Sequence, residues 1–147
     1  MIVQITGQLK YKDMNELIIE ANGVGYLCYI SNNTFNQLPH LEETFMILTY
    51  LHIMENKHTL YGFINHAERQ LFKMLISVSG IGPKIGIQLL SKTDTESISK
   101  MIINSDVKML SSLPGIGPKT AKRLIIELKD KFTITNDHDI PSGNDLS

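Results

Sequence analysis

The chain has 147 residues, 42% of them hydrophobic and 20% charged, which is room for one domain or two small ones and excludes wholesale disorder or a collagen-like repeat. No apolar run nears the roughly 20 residues of a membrane-spanning helix, and a single cysteine, Cys28, excludes an internal disulfide framework and a multi-cysteine zinc site. The net charge of -1 conceals a strong asymmetry: residues 1–65 carry three lysines against six acids (-3), residues 66–131 eleven Lys and Arg against six acids (+5), and the last sixteen residues three acids alone (-3). A basic middle segment points to a polyanion partner for that part of the chain. Charge by itself is equally well explained by a lysine-rich helical surface.

The first 63 residues read as strands. Ile2–Leu9, Glu16–Ala21, Val24–Ile30, Phe45–His52 and Thr59–Phe63 are rich in Ile, Leu, Val and Tyr and are separated by turn residues. The opening Met1–Gly7 alternates like a strand and lacks the basic and long apolar regions of a signal peptide, so a soluble, cytoplasmic protein is expected. Asn22-Gly23 is a two-residue hairpin signal, because both residues tolerate positive φ. Asn32–Leu38, ending at Pro39, reads as a turn with one short helix. Five strands with a helical insert after the third predict a small barrel of the oligonucleotide-binding (OB) type. Cys28, in an apolar run, is expected as a buried small residue.

From Asn65 the period becomes helical. Asn65 with Glu68 forms a capping-box pattern ahead of Leu71, Phe72, Leu75 and Ile76, and Thr93 with Glu96 repeats it ahead of Ile98, Met101 and Ile102. Ser105 is expected to cap a short helix carrying Val107 and Leu110. A last helix is expected from about Pro118 to Phe132, with Ala121, Leu124, Ile125 and Leu128 on one face. The fold class is therefore α+β in two domains: a five-stranded OB-type barrel over residues 1–64 and an all-α domain over 65–132. Residues 133–147, acidic and interrupted by Pro141 and Gly143, read as a flexible linker.

The helical half contains a repeat. Ser77-Val78-Ser79-Gly80-Ile81-Gly82-Pro83-Lys84 matches Ser112-Leu113-Pro114-Gly115-Ile116-Gly117-Pro118-Lys119 at an offset of 35 residues, and the match extends to Leu89 and Leu124. Each copy reads as helix, Gly-Ile-Gly hairpin, Pro-Lys, helix. The glycines permit a tight reversal and leave backbone N–H groups uncovered. Proline suits the first helical turn, where its missing N–H costs nothing. The remaining amides and the positive end of the helix dipole then face outward as a phosphate site, with Ile81 and Ile116 plugging the helix pair and Lys84 and Lys119 adding charge. Such a module grips backbone phosphates without reading bases. One copy is as well explained as a mere helical turn; two copies, each with Pro-Lys, in the one basic segment favour nucleic acid. A tandem pair can hold both strands across a minor groove, with Lys122 and Arg123 flanking the second hairpin and Lys129 more simply a solvated residue.

Other chemistries fit poorly. Gly80-x-Gly82-x-x-x-Gly86 is one residue too long for a dinucleotide fingerprint, and Gly117-Pro118-Lys119-Thr120 lacks the P-loop Gly-Lys-Thr step. His40, His52, His58, His66 and His138 show no paired metal spacing. A glycosylase-type helix-hairpin-helix enzyme needs a catalytic Lys or Asp beside a pocket for a flipped base, whereas the acids nearest Lys119 are Glu127 and Asp130 on a continuous helix. No catalytic residue, metal or cofactor is therefore assigned. The aromatic residues are expected in the barrel core, and Leu48 and Tyr50 either there or in subunit contacts.

Taken together, Asn22-Gly23-Val24-Gly25-Tyr26, Leu60-Tyr61-Gly62-Phe63, Glu68-Arg69-x-Leu71-Phe72 and both hairpins in order resemble the RuvA family of Holliday-junction-binding proteins over nearly all of residues 1–132. The resemblance implies an OB-type barrel followed by a tandem helix-hairpin-helix domain. It also implies a homotetramer, or two tetramers face to face, around an open four-way junction in recombination and repair. The implied partners are the ATP-driven motor RuvB, which moves the branch point, and the nuclease RuvC, which resolves it. An acidic pin from the barrel is implied at the crossover; the matching positions are Glu55 and Asn56, in the loop His52–His58, giving one acid where the family usually has two. Family members also carry a third, motor-contacting helical domain after a linker. The 147-residue sequence stops within the linker-like stretch, so it is expected to bind junctions without supporting RuvB-driven migration by itself. The other reading is a general helix-hairpin-helix module for duplex DNA or RNA, without junction selectivity.

Overall fold

A computed structural model describes residues 1–137, with side chains through Phe132. Five strands, β1 (Gln4–Lys12), β2 (Glu16–Ala21), β3 (Val24–Tyr29), β4 (Thr44–Met54) and β5 (Lys57–Phe63), close into a barrel in the order β1-β2-β3-β5-β4. All pairings are antiparallel except β3 with β5, which meet through Cys28 opposite Leu60 and Tyr29 opposite Tyr61. Asn22 and Gly23 adopt φ of 52° and 79° between the paired residues Ala21 and Val24, the two-residue turn that matches strand twist. Ile5, Leu9, Leu17, Ile19, Cys28, Ile30 and Ile47 fill the barrel. Burial pushes the Cys28 thiol up to about 12, as suits a packing residue without a role as a nucleophile.

The helix α1 (Asn32–Asn36) occupies the β3–β4 connection and is capped by Ser31, whose side chain accepts from the Thr34 N–H. The helical half follows as α2 (His66–Ile76), α3 (Pro83–Lys92), α4 (Thr95–Ile103), α5 (Val107–Ser111) and α6 (Pro118–Asp137). Helix α6 continues beyond the expected end at Phe132, in keeping with the lack of any Gly or Pro before Pro141. The rest of the linker-like stretch lies outside the described residues. No helix among these is long and apolar enough to cross a membrane.

Three capping assignments differ from the sequence expectation. Thr93 still donates its backbone N–H to Leu89 and so closes α3, leaving Asp94 to cap α4 through the Ser97 N–H. Ser105 finishes the preceding turn at φ 54°, and Asp106 caps α5 through the Met109 N–H. Asn65 does cap α2, accepting from Ala67 and Glu68. Glu68 does not complete the box. It turns inward, almost fully buried, and accepts hydrogen bonds from the hydroxyls of Ser31 and Thr34.

That inward turn belongs to the joint between barrel and helices. Phe72 of α2 lies 5.0 Å from Phe63, 5.3 Å from Tyr61 and 5.5 Å from Tyr50, ring centre to ring centre. The outer face of β4 and β5 and the helical core therefore form one hydrophobic cluster, in which Leu48 and Tyr50 are partly buried. Polar contacts reinforce it: Asn33 Nδ2 donates to Leu90 O at 2.9 Å, and Arg69 Nη1 donates to Val3 O at 2.8 Å. The barrel thus fixes the position of α2, and through it the first hairpin.

Candidate nucleic-acid interface

The repeat seen in sequence is a repeat of backbone geometry. In the first copy Val78 N donates to Leu75 O, Ile81 N to Val78 O and Gly86 N to Gly82 O; in the second, Leu113 N donates to Leu110 O, Ile116 N to Leu113 O and Ala121 N to Gly117 O, all between 2.9 and 3.2 Å. Gly80 and Gly115 turn the chain at φ 97° and 78°, where an L side chain is strained. Ile81 and Ile116 are each only 4% exposed, so their side chains hold the hairpins from within and present only backbone outward.

Gly82 caps α3 in an extended conformation with Pro83 following, and no side chain caps the helix. Gly117 takes the same place before Pro118. A Cβ added at either Gly82 or Gly117 would meet nothing within 4 Å. The N–H groups of the residues after each proline, Lys84 and Ile85 in one copy and Lys119 and Thr120 in the other, lie in the first turn, where a helix offers no internal acceptor. Each hairpin thus leaves an open approach to helix N-terminal donors. Gly82, Lys84, Gly117, Pro118, Lys119, Lys122 and Arg123 are exposed, and Pro83 is partly so.

The two copies also brace one another reciprocally. Gly80 faces Thr120 of α6, whose Oγ1 would lie 3.5 Å from an added Cβ, and Gly115 faces Ile85 of α3, whose Cγ2 would lie at 3.2 Å. Since Gly80 and Gly115 occupy equivalent positions of the repeat, as do Ile85 and Thr120, the pair is related by a local pseudo-twofold. Arg123 adds a bond across it, Nη1 donating to Ser79 O at 3.4 Å. Spacing alone does not reveal these contacts.

Lys10 pairs with Glu42 and Lys100 with Glu96. Neither uses a hairpin lysine, so Lys84 and Lys119 keep their charge available to a ligand. Lys129 donates to Ser105 Oγ at 2.9 Å and ties α6 to the α4–α5 turn, so it has a structural bond where sequence expected simple solvation.

At the barrel end, Glu55 and Asn56 are both exposed, but the seven-residue loop expected around them is a two-residue turn. Met54 pairs directly with Lys57, because β4 and β5 keep their antiparallel register to the tip. A stiff ribbon, not a loop, presents the Glu55 carboxylate.

Comparison with known proteins agrees with this architecture. The family model described as the RuvA N terminal domain matches residues 1–62, and that described as a SAM-like helix-hairpin-helix tandem matches residues 72–130. Proteins called Holliday junction branch migration complex subunit RuvA are similar over 131 residues: that of Chloroherpeton thalassium is 45% identical, covering 89% of this chain and 66% of its own. The counterpart from Acetivibrio thermocellus is 42% identical, covering 89% and 65%, and that from Amoebophilus asiaticus 41% identical, covering 89% and 68%. The chain spans about two thirds of the length of these relatives. With a matching barrel, a matching hairpin tandem and identity of this extent, the chain belongs to the RuvA family.

Proposed function

We propose that this chain is a non-catalytic subunit that binds four-way junction DNA through backbone phosphates and holds it open for branch migration. The observation that carries this reading is the reciprocal pair of hairpins: two equivalent helix N-termini, each entered through a glycine with open space around it and followed by an exposed lysine. Two sites held in fixed relation suit the two strands of one duplex arm, which a single site cannot register. The hairpins, with Gly80, Ile81, Gly82, Pro83 and Lys84 in one and Gly115, Ile116, Gly117, Pro118 and Lys119 in the other, would contact DNA chiefly through backbone amides and the two lysines. Lys122 would add charge at the second hairpin, and Arg123 would steady the pair.

In this reading residues 1–64 serve assembly and the junction centre, and residues 65–132 serve DNA binding. Several copies, four or eight, would surround one junction with Glu55 and Asn56 at the crossover. There the carboxylate repels phosphates and keeps the strands apart. The names of the matched relatives support membership of a branch migration complex. RuvB as the motor and RuvC as the nuclease are the partners that the family resemblance implies, with this 147-residue sequence by itself expected to bind the junction without supporting RuvB-driven migration.

The test is a gel-shift titration of a synthetic four-way junction, a linear duplex of matched length and a single strand at two salt concentrations. Junction binding far tighter than duplex binding is the expected result. Equal affinity for both would refute junction selectivity and leave a general duplex-binding module.

A further inference from the structure

A groove of about 610 Å³ runs between the β4–β5 ribbon and the first hairpin. One wall is Tyr50, His52 and Met54, alternate residues on a single face of β4, with Tyr50 and His52 stacked at 6.4 Å and 25° between their planes. The opposite wall is Lys73 and Ile76 of α2, and the groove ends on Gly82 and Pro83 at the open N-terminus of α3. Lys57 pairs with Met54 and so shares the face of the first wall, carrying a second cation toward the ribbon tip. Among the described residues, no acidic side chain lines the groove.

This composition differs from that of the hairpin sites. A duplex backbone offers phosphates on a convex surface with its bases stacked away, and has nothing to place against Tyr50, His52, Met54 and Ile76. An unpaired nucleotide has all three parts: a base for the stacked His52 and Tyr50 rings, a sugar for Met54 and Ile76, and a phosphate for Lys73. We infer that this groove receives an unpaired nucleotide of a DNA strand as it leaves its duplex, and that His52 and Lys73 thereby favour branched over linear DNA. The inference rests on the proposed junction binding. It is also supported by continuity, since the groove opens directly onto Gly82 and Pro83 of the hairpin that would hold the adjacent phosphates.

The test compares the full chain with Lys73→Ala, His52→Ala and a charge control, Lys100→Ala, on a four-way junction and on matched linear duplex at fixed salt. Lys73 and Lys100 are exposed and His52 is only partly buried, and melting curves check that each variant folds. Lys73→Ala and His52→Ala are each expected to weaken junction binding about tenfold and duplex binding less than about twofold, from lost stacking and one lost phosphate contact. Lys100→Ala should change neither ratio. Parallel losses on junction and duplex, or no loss, in a chain whose wild type prefers junctions would overturn the inference. A wild type without junction preference would instead refute the proposed function on which it rests.

Discussion

The four hairpin glycines can be separated by experiment into those required for folding and those required for binding. Gly80 and Gly115 sit at positive φ, where alanine costs about 1–2 kcal/mol. At Gly115 the new methyl also presses on Ile85, with three side-chain atoms between 3.2 and 3.4 Å, so its substitution carries an additional packing cost of about 1 kcal/mol or more. Gly82 is extended, at φ -87° and ψ 172°, a conformation alanine adopts freely, and Gly117 is also outside the positive-φ set. Exchanging an N-cap glycine for alanine loses about 0.5–1 kcal/mol of capping preference. Reduced freedom of the unfolded chain returns about 0.4–1 kcal/mol. Gly82→Ala and Gly117→Ala should therefore leave urea stability almost unchanged, whereas Gly80→Ala and Gly115→Ala should lower it, Gly115→Ala most. The methyl at Gly82 or Gly117, however, projects into open space at the start of the helix, where it would stand in the way of a phosphate approaching the first-turn amides. Blocking a charge-assisted hydrogen bond there costs about 1.5–3 kcal/mol of binding, or about ten- to a hundredfold in affinity. Urea melts and junction titrations on the four variants read both quantities. Wild-type junction affinity in Gly82→Ala and Gly117→Ala would refute the assignment of those surfaces to phosphate, whatever the stability data show.

Lys84→Ala and Lys119→Ala should each weaken DNA binding regardless of sequence and reduce the slope of log affinity against log salt by about 0.9; an unchanged slope returns them to ordinary surface residues. Glu68 gives a stability prediction. Its burial holds the carboxyl above the usual carboxylate range, against the opposing hydrogen bonds from Ser31 and Thr34. The folded protein therefore holds the Glu68 proton more tightly than the unfolded chain. Relative to Glu68→Gln, wild-type stability should rise as pH falls from neutrality toward 4.5, the ordinary value for this group, and level off below it. Glu68→Gln, which keeps an acceptor for both hydroxyls, should be at least as stable as wild type at pH 8, while Glu68→Ala should lose about 1–3 kcal/mol. Urea midpoints across pH 4 to 8 decide this, and a wild-type advantage over Glu68→Gln that grows with pH would contradict it.

The parts of this protein determined by its sequence are those that local rules govern. Runs rich in Ile, Leu, Val and Tyr between turn residues marked all five strands, with Glu16–Ala21 matching β2 at both ends, because such side chains suit a half-buried pleated surface. Asn22-Gly23 and the two Gly-Ile-Gly segments were legible because few residues other than glycine or asparagine take positive φ cheaply. The repeat announced equivalent hairpins, since the same backbone bonds follow from the same residues. Only the tertiary structure decided what these pieces meet. Asn65 and Glu68 read as a capping box, but Ser31 and Thr34, more than thirty residues away in sequence, offer the carboxyl two hydroxyl donors in a buried setting. Asp94 and Asp106 displaced Thr93 and Ser105 as caps because the neighbouring helices had already claimed those backbones. Equally, no spacing could pair Gly80 with Thr120 and Gly115 with Ile85, or set His52 across a groove from Lys73. Those contacts exist because the aromatic joint around Phe72 seats α2 on the barrel and because both hairpins, through Ile81 and Ile116, share one hydrophobic core.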